Sequence, residues 1–220
     1  MTLPPPVASP DRQRDAERTK AEILDVAAQE FAKQGYDGAR VDEIAALTRT
    51  AKRMIYYYYG GKAQLYLAVL ERAYAEVRSA EAAIDVADLA PVAAIRRLAE
   101  LTFDHHQAHP DFIRLVSIEN IHRAEHLRTS EALANLGTPV IDLITRILAA
   151  GKAAGDFSTA ADPIDVHMMI SAFCVFNVAN QHTFRALFDR DLAAEQHRAR
   201  YRQMIGDMIV AYLSGAGTPA

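Results

Sequence analysis

The sequence predicts an all-α protein, and three observations carry that reading. Apolar residues recur at steps of three and four along most of the chain, the spacing of a helix face. No stretch alternates apolar and polar residues over a convincing strand length, and no repeat of fixed period occurs. Proline, which interrupts helices, is absent between Pro10 and Pro91 and mostly falls later where helices should begin.

The elements follow in order. Residues 1–14, with four prolines and little apolar content, should form a disordered arm. Thr19-Lys20-Ala21-Glu22 has capping-box spacing for a helix start. Ile23, Ala27 and Phe31, beside Leu24 and Ala28, give that helix an apolar stripe that ends at Gly35. A second helix is predicted over 41–48 with Val41, Ile44 and Ala45 inward, and a third from near Ala51. A long fourth, 61–83, carries Leu65, Val69, Ala73 and Val77 on one face. Later helices are predicted at 90–108, 110–127, 130–154, 163–188 and 192–214. Pro110 and Pro163 fit first helical positions, whereas Pro139 should kink or start its helix.

Half of the 220 residues are hydrophobic and about a quarter are charged, as in an ordinary globular protein. The single cysteine, Cys174, cannot form an internal disulfide, which fits a reducing compartment. The longest apolar run, around 168–176, is about half the roughly 20 residues that cross a bilayer. The proline-rich start lacks the basic-then-apolar order of a signal peptide. These features argue for the cytoplasm and against a membrane partner. The net charge of −4 argues against a general nucleic-acid coat, but its distribution is uneven. From Leu47 to Lys62 the chain carries Arg49, Lys52, Arg53 and Lys62 and no acidic residue, the footprint of one localised polyanion contact.

That basic stretch coincides with a short helix, a tight turn and the run Thr50-Ala51-Lys52-Arg53-Met54-Ile55-Tyr56-Tyr57-Tyr58-Tyr59-Gly60-Gly61-Lys62. On a helix from Ala51, Ile55 faces a core while Lys52, Arg53, Tyr57 and Tyr56 spread over the exposed side. A helix of that size fits the major groove of duplex DNA, where Arg and Lys donate to guanine. Tyrosine hydroxyls and Lys62 can hold phosphates and fix register.

Residues 18–66 resemble the DNA-binding domain of the tetracycline-repressor (TetR) family of bacterial regulators. The likeness rests on Ile23-Leu24-Asp25-Val26-Ala27-Ala28, Phe31-Ala32-Lys33-Gln34-Gly35-Tyr36, Val41-Asp42-Glu43-Ile44-Ala45 and Ile55-Tyr56-Tyr57-Tyr58-Tyr59, followed by Lys62 and Leu65-Tyr66. It implies a three-helix helix-turn-helix domain over 15–62 and a larger helical effector and dimerisation domain over 63–215. Carried over position by position, it makes Lys52, Arg53 and Tyr57 base-side residues. Arg40, Tyr56, Tyr58 and Lys62 become phosphate-side residues, and Tyr59 belongs to the core. The sequence departs from the family pattern at Arg49, where a turn glycine is usual, at Thr50, and at Ala51, Arg53 and Met54 early in the recognition helix. Arg40 replaces a capping Ser or Thr.

Histidines at 105, 106, 109, 122 and 126 raise the question of zinc, but without a second cysteine or an HExxH motif no metal is expected. No GxSxG, GxxxxGK[ST] or GxGxxG motif occurs, so no cofactor and no enzymatic activity are expected. Residues 166–178 are apolar on nearly every face, as a helix between its own core and another surface would be. With Tyr201, Ile205, Met208, Ile209 and Tyr212 on the last helix, they predict a homodimer face. Phe173, Asn177, either Asn180 or Gln181, and Phe184 follow at steps of three and four on one predicted helix, mixing rings with amides. With Phe103, His106, Val116, Glu119 and Asn120 they would line an effector pocket for a ligand with a hydrophobic body and one hydrogen-bonding end. Glu119 could instead pair with Arg123, and the amides could pair across the dimer interface.

The reading is a ligand-responsive transcriptional repressor that binds a roughly palindromic operator in double-stranded DNA as a homodimer. A helical protein-interaction module whose basic patch meets an acidic partner is the alternative, ahead of an enzyme using the helical pocket.

Overall fold

In a computed structural model of the chain, the described residues are 10–82, 88–133 and 138–215. Their regular structure is helical: α1 (Pro10–Gly38), α2 (Val41–Leu47), α3 (Lys52–Tyr59), α4 (Lys62–Ala82), α5 (Pro91–Ala108) and α6 (Pro110–Ile121). A single 3-10 turn (Leu127–Thr129) precedes α7 (Thr138–Ala154), α8 (Pro163–Ala179), α9 (Gln181–Phe188) and α10 (Glu195–Leu213). The all-α expectation holds. Two compact units divide between Leu70 and Glu71, inside α4, where the sequence reading placed the boundary at 62.

In the first unit α1 begins at Pro10, so residues 10–14 of the expected arm are helical; residues 1–9 lie outside the described residues. Thr19 is not a cap. It lies inside α1, and its Oγ1 donates to the Asp15 carbonyl at 2.8 Å, the back-bond of a helical threonine. Gly35 does mark a break, with φ 74° and ψ 174°, before helical turns resume to Gly38. Ile23, Ala27 and Phe31 are fully buried, together with Ile44, Ile55, Leu65 and Tyr66. The Tyr66 ring meets Phe31 edge-on at 4.9 Å. Gly60 ends α3 at φ 79°, and its N–H reaches the Tyr56 carbonyl at 2.8 Å, a left-handed cap suited to glycine.

The core of the second unit lies among α5, α7, α8 and α10, with Ile95, Leu98, Phe103, Ile144, Ile147, Ile170, Ile205 and Ile209 at its centre. Cys174 belongs to this core, and burial pushes its thiol up to about 12. Pro91, Pro110 and Pro163 each occupy the first turn of a helix, where the missing N–H costs nothing. Asp162 adds a side-chain cap, accepting from Ile164 N at 2.7 Å. A Cβ on Gly151 would meet the Phe157 ring, so this glycine lets the loop after α7 fold Phe157 into the core. Ion pairs join α5 to α10: Arg96 to Asp207 at 2.7 Å, and Arg202 to Glu100 at 2.7 Å and Asp104 at 2.9 Å.

Four boundaries differ from expectation. The expected helix over 110–127 stops at Ile121, because Arg123 and Ala124 both turn to φ 57°. The expected helix over 130–154 starts at Thr138, with Pro139 in its first turn rather than at a kink; residues 134–137 lie outside the described residues. The expected helix over 163–188 breaks at Asn180, whose φ of −101° and ψ of 6° leave the helical region. The Asn180 carbonyl then accepts from Phe184 N and Thr183 Oγ1 and starts α9. The last helix starts at Glu195 rather than 192. None of the described helices is long and apolar enough to cross a membrane.

Candidate nucleic-acid interface and interior polar groups

The first unit turns two short helices into a display. Val41, Ile44 and Ala45 anchor α2, and Ile55 anchors α3. Between them Thr48 is buried, its Oγ1 donating to the Ile44 carbonyl at 2.9 Å. Thr50 Oγ1 donates to the Thr48 carbonyl at 3.1 Å, so the hydroxyl that replaces an apolar residue is satisfied locally. Arg49 carries φ 51°, the left-handed conformation a glycine would adopt; the turn is kept at a cost in backbone strain.

With the interior facing one way, Arg40, Arg49, Lys52 and Arg53 are exposed on the other. Arg53 has no ion-pair partner among the described residues. Tyr57 is 78% exposed and Tyr56 is 46% exposed. Tyr58 is half-buried, edge-on to Tyr57 at 5.3 Å with the Lys20 ammonium over its ring. Tyr59 donates to the Lys20 carbonyl at 2.8 Å, the core role expected of it. Arg40 is the N-cap of α2 and makes no side-chain cap, as expected.

Two cations are engaged within the unit. Lys52 Nζ lies 2.8 Å from Asp42 Oδ1, and this hydrogen bond raises the pKa of the lysine. Lys62 is half-buried; Nζ donates to the Asp37 carbonyl at 3.2 Å and lies 4.9 Å from the centre of the Tyr36 ring. Lys62 thus ties the start of α4 to the end of α1. The sequence pattern gave no sign of that second role.

In the second unit the expected effector residues separate. Phe103 is fully buried, with the Phe173 ring 6.3 Å away. Asn177, one turn beyond Phe173, is 5% exposed; Nδ2 donates to the Phe173 carbonyl at 3.2 Å and Oδ1 has no partner. Asn177 is thus largely covered within one chain. Asn180 and Gln181 are half-buried at the break between α8 and α9. Phe184 lies on α9 between the rings of Phe176 and Phe188, so the supposed single face from Phe173 to Phe184 does not exist.

His106 is buried on α5. Its Nδ1–H donates to the Thr102 carbonyl at 2.8 Å, and burial lowers its pKa to about 4, so the ring is neutral at ordinary pH. The Phe112 ring links it to Tyr74 of α4 through two edge-on contacts. Val116 is half-buried, and Asn120 is exposed with its amide turned back onto the Val116 carbonyl at 2.9 Å. Glu119 is 1% exposed, yet its partner is not Arg123. Its carboxylate meets His126 Nδ1 at 3.0 Å and accepts from Leu127 N at 3.2 Å, clamping the turns that follow α6. Arg123, at φ 57°, has left the helical register that an i,i+4 pair requires.

The sequence reading missed a polar stripe on α4. Tyr74, Arg78 and Glu81 share a face of that helix beside the apolar stripe. Arg78 Nη1 pairs with a Glu81 oxygen, and Arg78 Nε is buried without a partner. Burial raises the pKa of Glu81, against the pull of Arg78. Arg78 and Glu81 line a cleft of about 310 Å³ with Pro139, Val140, Asp142, Leu143 and Arg146 of α7. A smaller cavity of about 180 Å³ lies between α4 and α5, beside Val77, Glu81, Thr102 and His106. A charged pair three residues apart reads in sequence as a solvated helix surface, so nothing marked it out. Among the described residues no group of three or more His, Cys, Asp or Glu side chains is placed to hold a metal.

One unit with an exposed basic and aromatic recognition helix and a second helical unit with polar groups inside define the class: a helix-turn-helix regulator with a regulatory domain. The family model for bacterial regulatory proteins of the tetR family matches residues 23–69, and that for the tetracyclin repressor-like C-terminal domain matches residues 91–209. The chain belongs to the TetR family. It is 35% identical over 199 residues to the HTH-type transcriptional repressor NicS of Pseudomonas putida, covering 90% of this chain and 93% of that protein. A 110-residue match at 41% identity to the repressor SCO4008 of Streptomyces coelicolor covers 49% of this chain and 53% of that one. Among solved structures, the transcriptional regulator SCO4942 of Streptomyces coelicolor superposes with a TM-score of 0.66 at 29% identity, covering 86% of this chain and 97% of that one.

Proposed function

We propose that the protein is a ligand-responsive repressor that binds a roughly palindromic operator as a homodimer. The observation that carries this reading is the outward face of α3, where Arg53 and Tyr57 are exposed over a buried Ile55. Arg53, Tyr57 and, once released from Asp42, Lys52 read base edges; Arg40, Arg49 and Tyr56 meet phosphates. Tyr58 and Lys62 support this face from within the unit.

Dimerisation uses the apolar side chains that one chain leaves uncovered on α8 and α10. Met168 and Phe176 are exposed on α8, and Met208 and Tyr212 on α10, whereas Ile205 and Ile209 of the expected stripe belong to the core. A two-fold pairing of these faces matches a two-fold operator. Effector response is supported by three buried polar atoms of the second unit that lack a partner: Arg78 Nε, Gln107 Nε2 and Asn177 Oδ1. Buried polar groups are normally hydrogen-bonded, and a ligand supplies the complementary groups.

The test is selection of bound duplexes from a random pool, followed by titration of the selected duplex against salt. The expected result is a roughly palindromic consensus, preferred over competitor DNA, with affinity falling steeply as salt rises. Light scattering should give a dimer mass at micromolar concentration. A monomer mass, or binding without sequence preference, would overturn the reading.

A further inference from the structure

The reading as a ligand-responsive regulator leaves the chemistry of the effector open, and the cleft between α4 and α7 narrows it. We propose that this cleft takes a small monocarboxylate with an apolar body, its acid group held by Arg78.

Arg78 has the attributes of an anion anchor. Its side chain is only 15% exposed, so its charge acts in a poorly solvated place. Glu81 takes Nη1, while Nε, part of the edge of the guanidinium that receives a carboxylate side-on, has no acceptor. A neutral ligand oxygen could accept from Nε but would leave the charge as it is; a carboxylate satisfies both. Arg146 adds a second guanidinium to the cleft, is exposed, and has no ion-pair partner among the described residues.

The walls set the remainder of the ligand. Pro139, Val140 and Leu143 give an apolar surface for its body. A volume of about 310 Å³ is roughly twice that of an engineered cavity known to hold benzene, room for one or two rings or a short chain. Glu81 and Asp142 also line the cleft, so a ligand with several negative charges is excluded. Burial already favours the neutral form of Glu81, which makes it the weaker of two carboxylates competing for Arg78. Burial lowers the pKa values of His106 and His167 and the charge of Arg78 lowers them further, which places the anchor near these two rings.

The experiment is thermal unfolding of the full chain with millimolar benzoate, hexanoate or 1-naphthoate, each against its primary amide. At least one acid should raise Tm by several degrees, and its amide should not. Arg78→Met should abolish the shift, Arg146→Met should weaken binding about threefold or more, and Glu81→Gln should strengthen it several-fold by removing the competitor. The last two variants keep the test decisive should Arg78→Met fail to fold. The proposal is overturned by equal shifts from acid and amide, by no shift from any of the three acids, or by weaker binding in Glu81→Gln. The selected duplex, titrated against the same protein, separates the two readings. Sequence-specific DNA binding without acid binding removes the carboxylate and leaves the regulator, whereas loss of sequence-specific binding in the unmutated protein removes both.

Discussion

The two units of this chain put their polar chemistry on opposite sides of their packing. Within residues 14–70 Arg40, Arg49, Lys52, Arg53, Tyr56 and Tyr57 stand outside an apolar interior, and the main departure from ideal geometry, Arg49, is a turn residue facing solvent. Within residues 71–220 the informative polar groups lie inside: Glu81, His106, Glu119 and Asn177 are all buried. A surface that meets a polyanion needs charge that can shed water and ions on contact. A site that recognises a small molecule needs a few polar groups already stripped of water. The contrast predicts that substitutions in the first unit change DNA affinity with little effect on stability, and that the reverse holds in the second.

The sharpest way to break that contrast is Glu119→Ala. It removes the acceptor for Leu127 N and the partner of His126, and should cost about 3 kcal/mol of stability in urea unfolding. DNA affinity of the folded fraction should not change. Unaltered stability would mean that the turns after α6 do not depend on this carboxylate.

His106 supplies an effect of nearly the same size through pH. Its folded pKa of about 4 lies below the ordinary 6.5, so the unfolded chain takes up the proton first. The contribution is complete above pH 6.5 and disappears as pH falls toward 4, roughly 3 kcal/mol in all. Urea midpoints across that interval should fall more steeply for the native chain than for His106→Gln.

Arg53→Ala moves the comparison to the other unit. It should weaken specific DNA binding by about 1–3 kcal/mol and relax the preference at one base position, with the unfolding midpoint unchanged. Competition between the selected duplex and single-base variants reads both effects. Affinity and base preference equal to those of the native chain would misplace α3 on the groove.

Two smaller effects carry opposite signs within one substitution. Asn177→Leu removes a buried acceptor that lacks a donor; calorimetry should show a gain of about 1 kcal/mol, with dimer and DNA binding kept and effector response lost. Dimers that dissociate instead would place Asn177 at the interface. Arg49→Gly relieves the left-handed strain and should stabilise the fold by about 1 kcal/mol. It should also weaken DNA binding uniformly across sequences and lower the salt slope by about one.

What the sequence disclosed divides along the same line. The first unit was legible because helix periodicity places Ile44 and Ile55 inside and, by the same rotation, Lys52, Arg53 and Tyr57 outside. Local spacing was enough, and the family motif is continuous there. It could not show that Lys62 folds back on Asp37, a contact between residues 25 positions apart. In the second unit Asn177 was found because an amide inside an apolar helix is conspicuous. Arg78 and Glu81 were not, since their burial depends on other helices of the second unit, which the helical repeat of α4 cannot report. The break at Asn180 was missed because asparagine is tolerated in helices, and only the hydrogen bonds made by Phe184 and Thr183 show that it ends one.

The Lys52–Asp42 pair has a consequence for how the protein finds its site. Before contact, the lysine charge is compensated at short range, so the turn and recognition helix present Arg49 and Arg53 rather than three cations. A regulator surrounded by a vast excess of irrelevant DNA loses time wherever it adheres too well, and each uncompensated cation lengthens every futile stop. If Lys52 contacts DNA as proposed, Asp42 should restrain that adhesion until a base edge or phosphate offers a better partner. Asp42→Asn should then tighten non-specific binding and slow the search for the selected duplex.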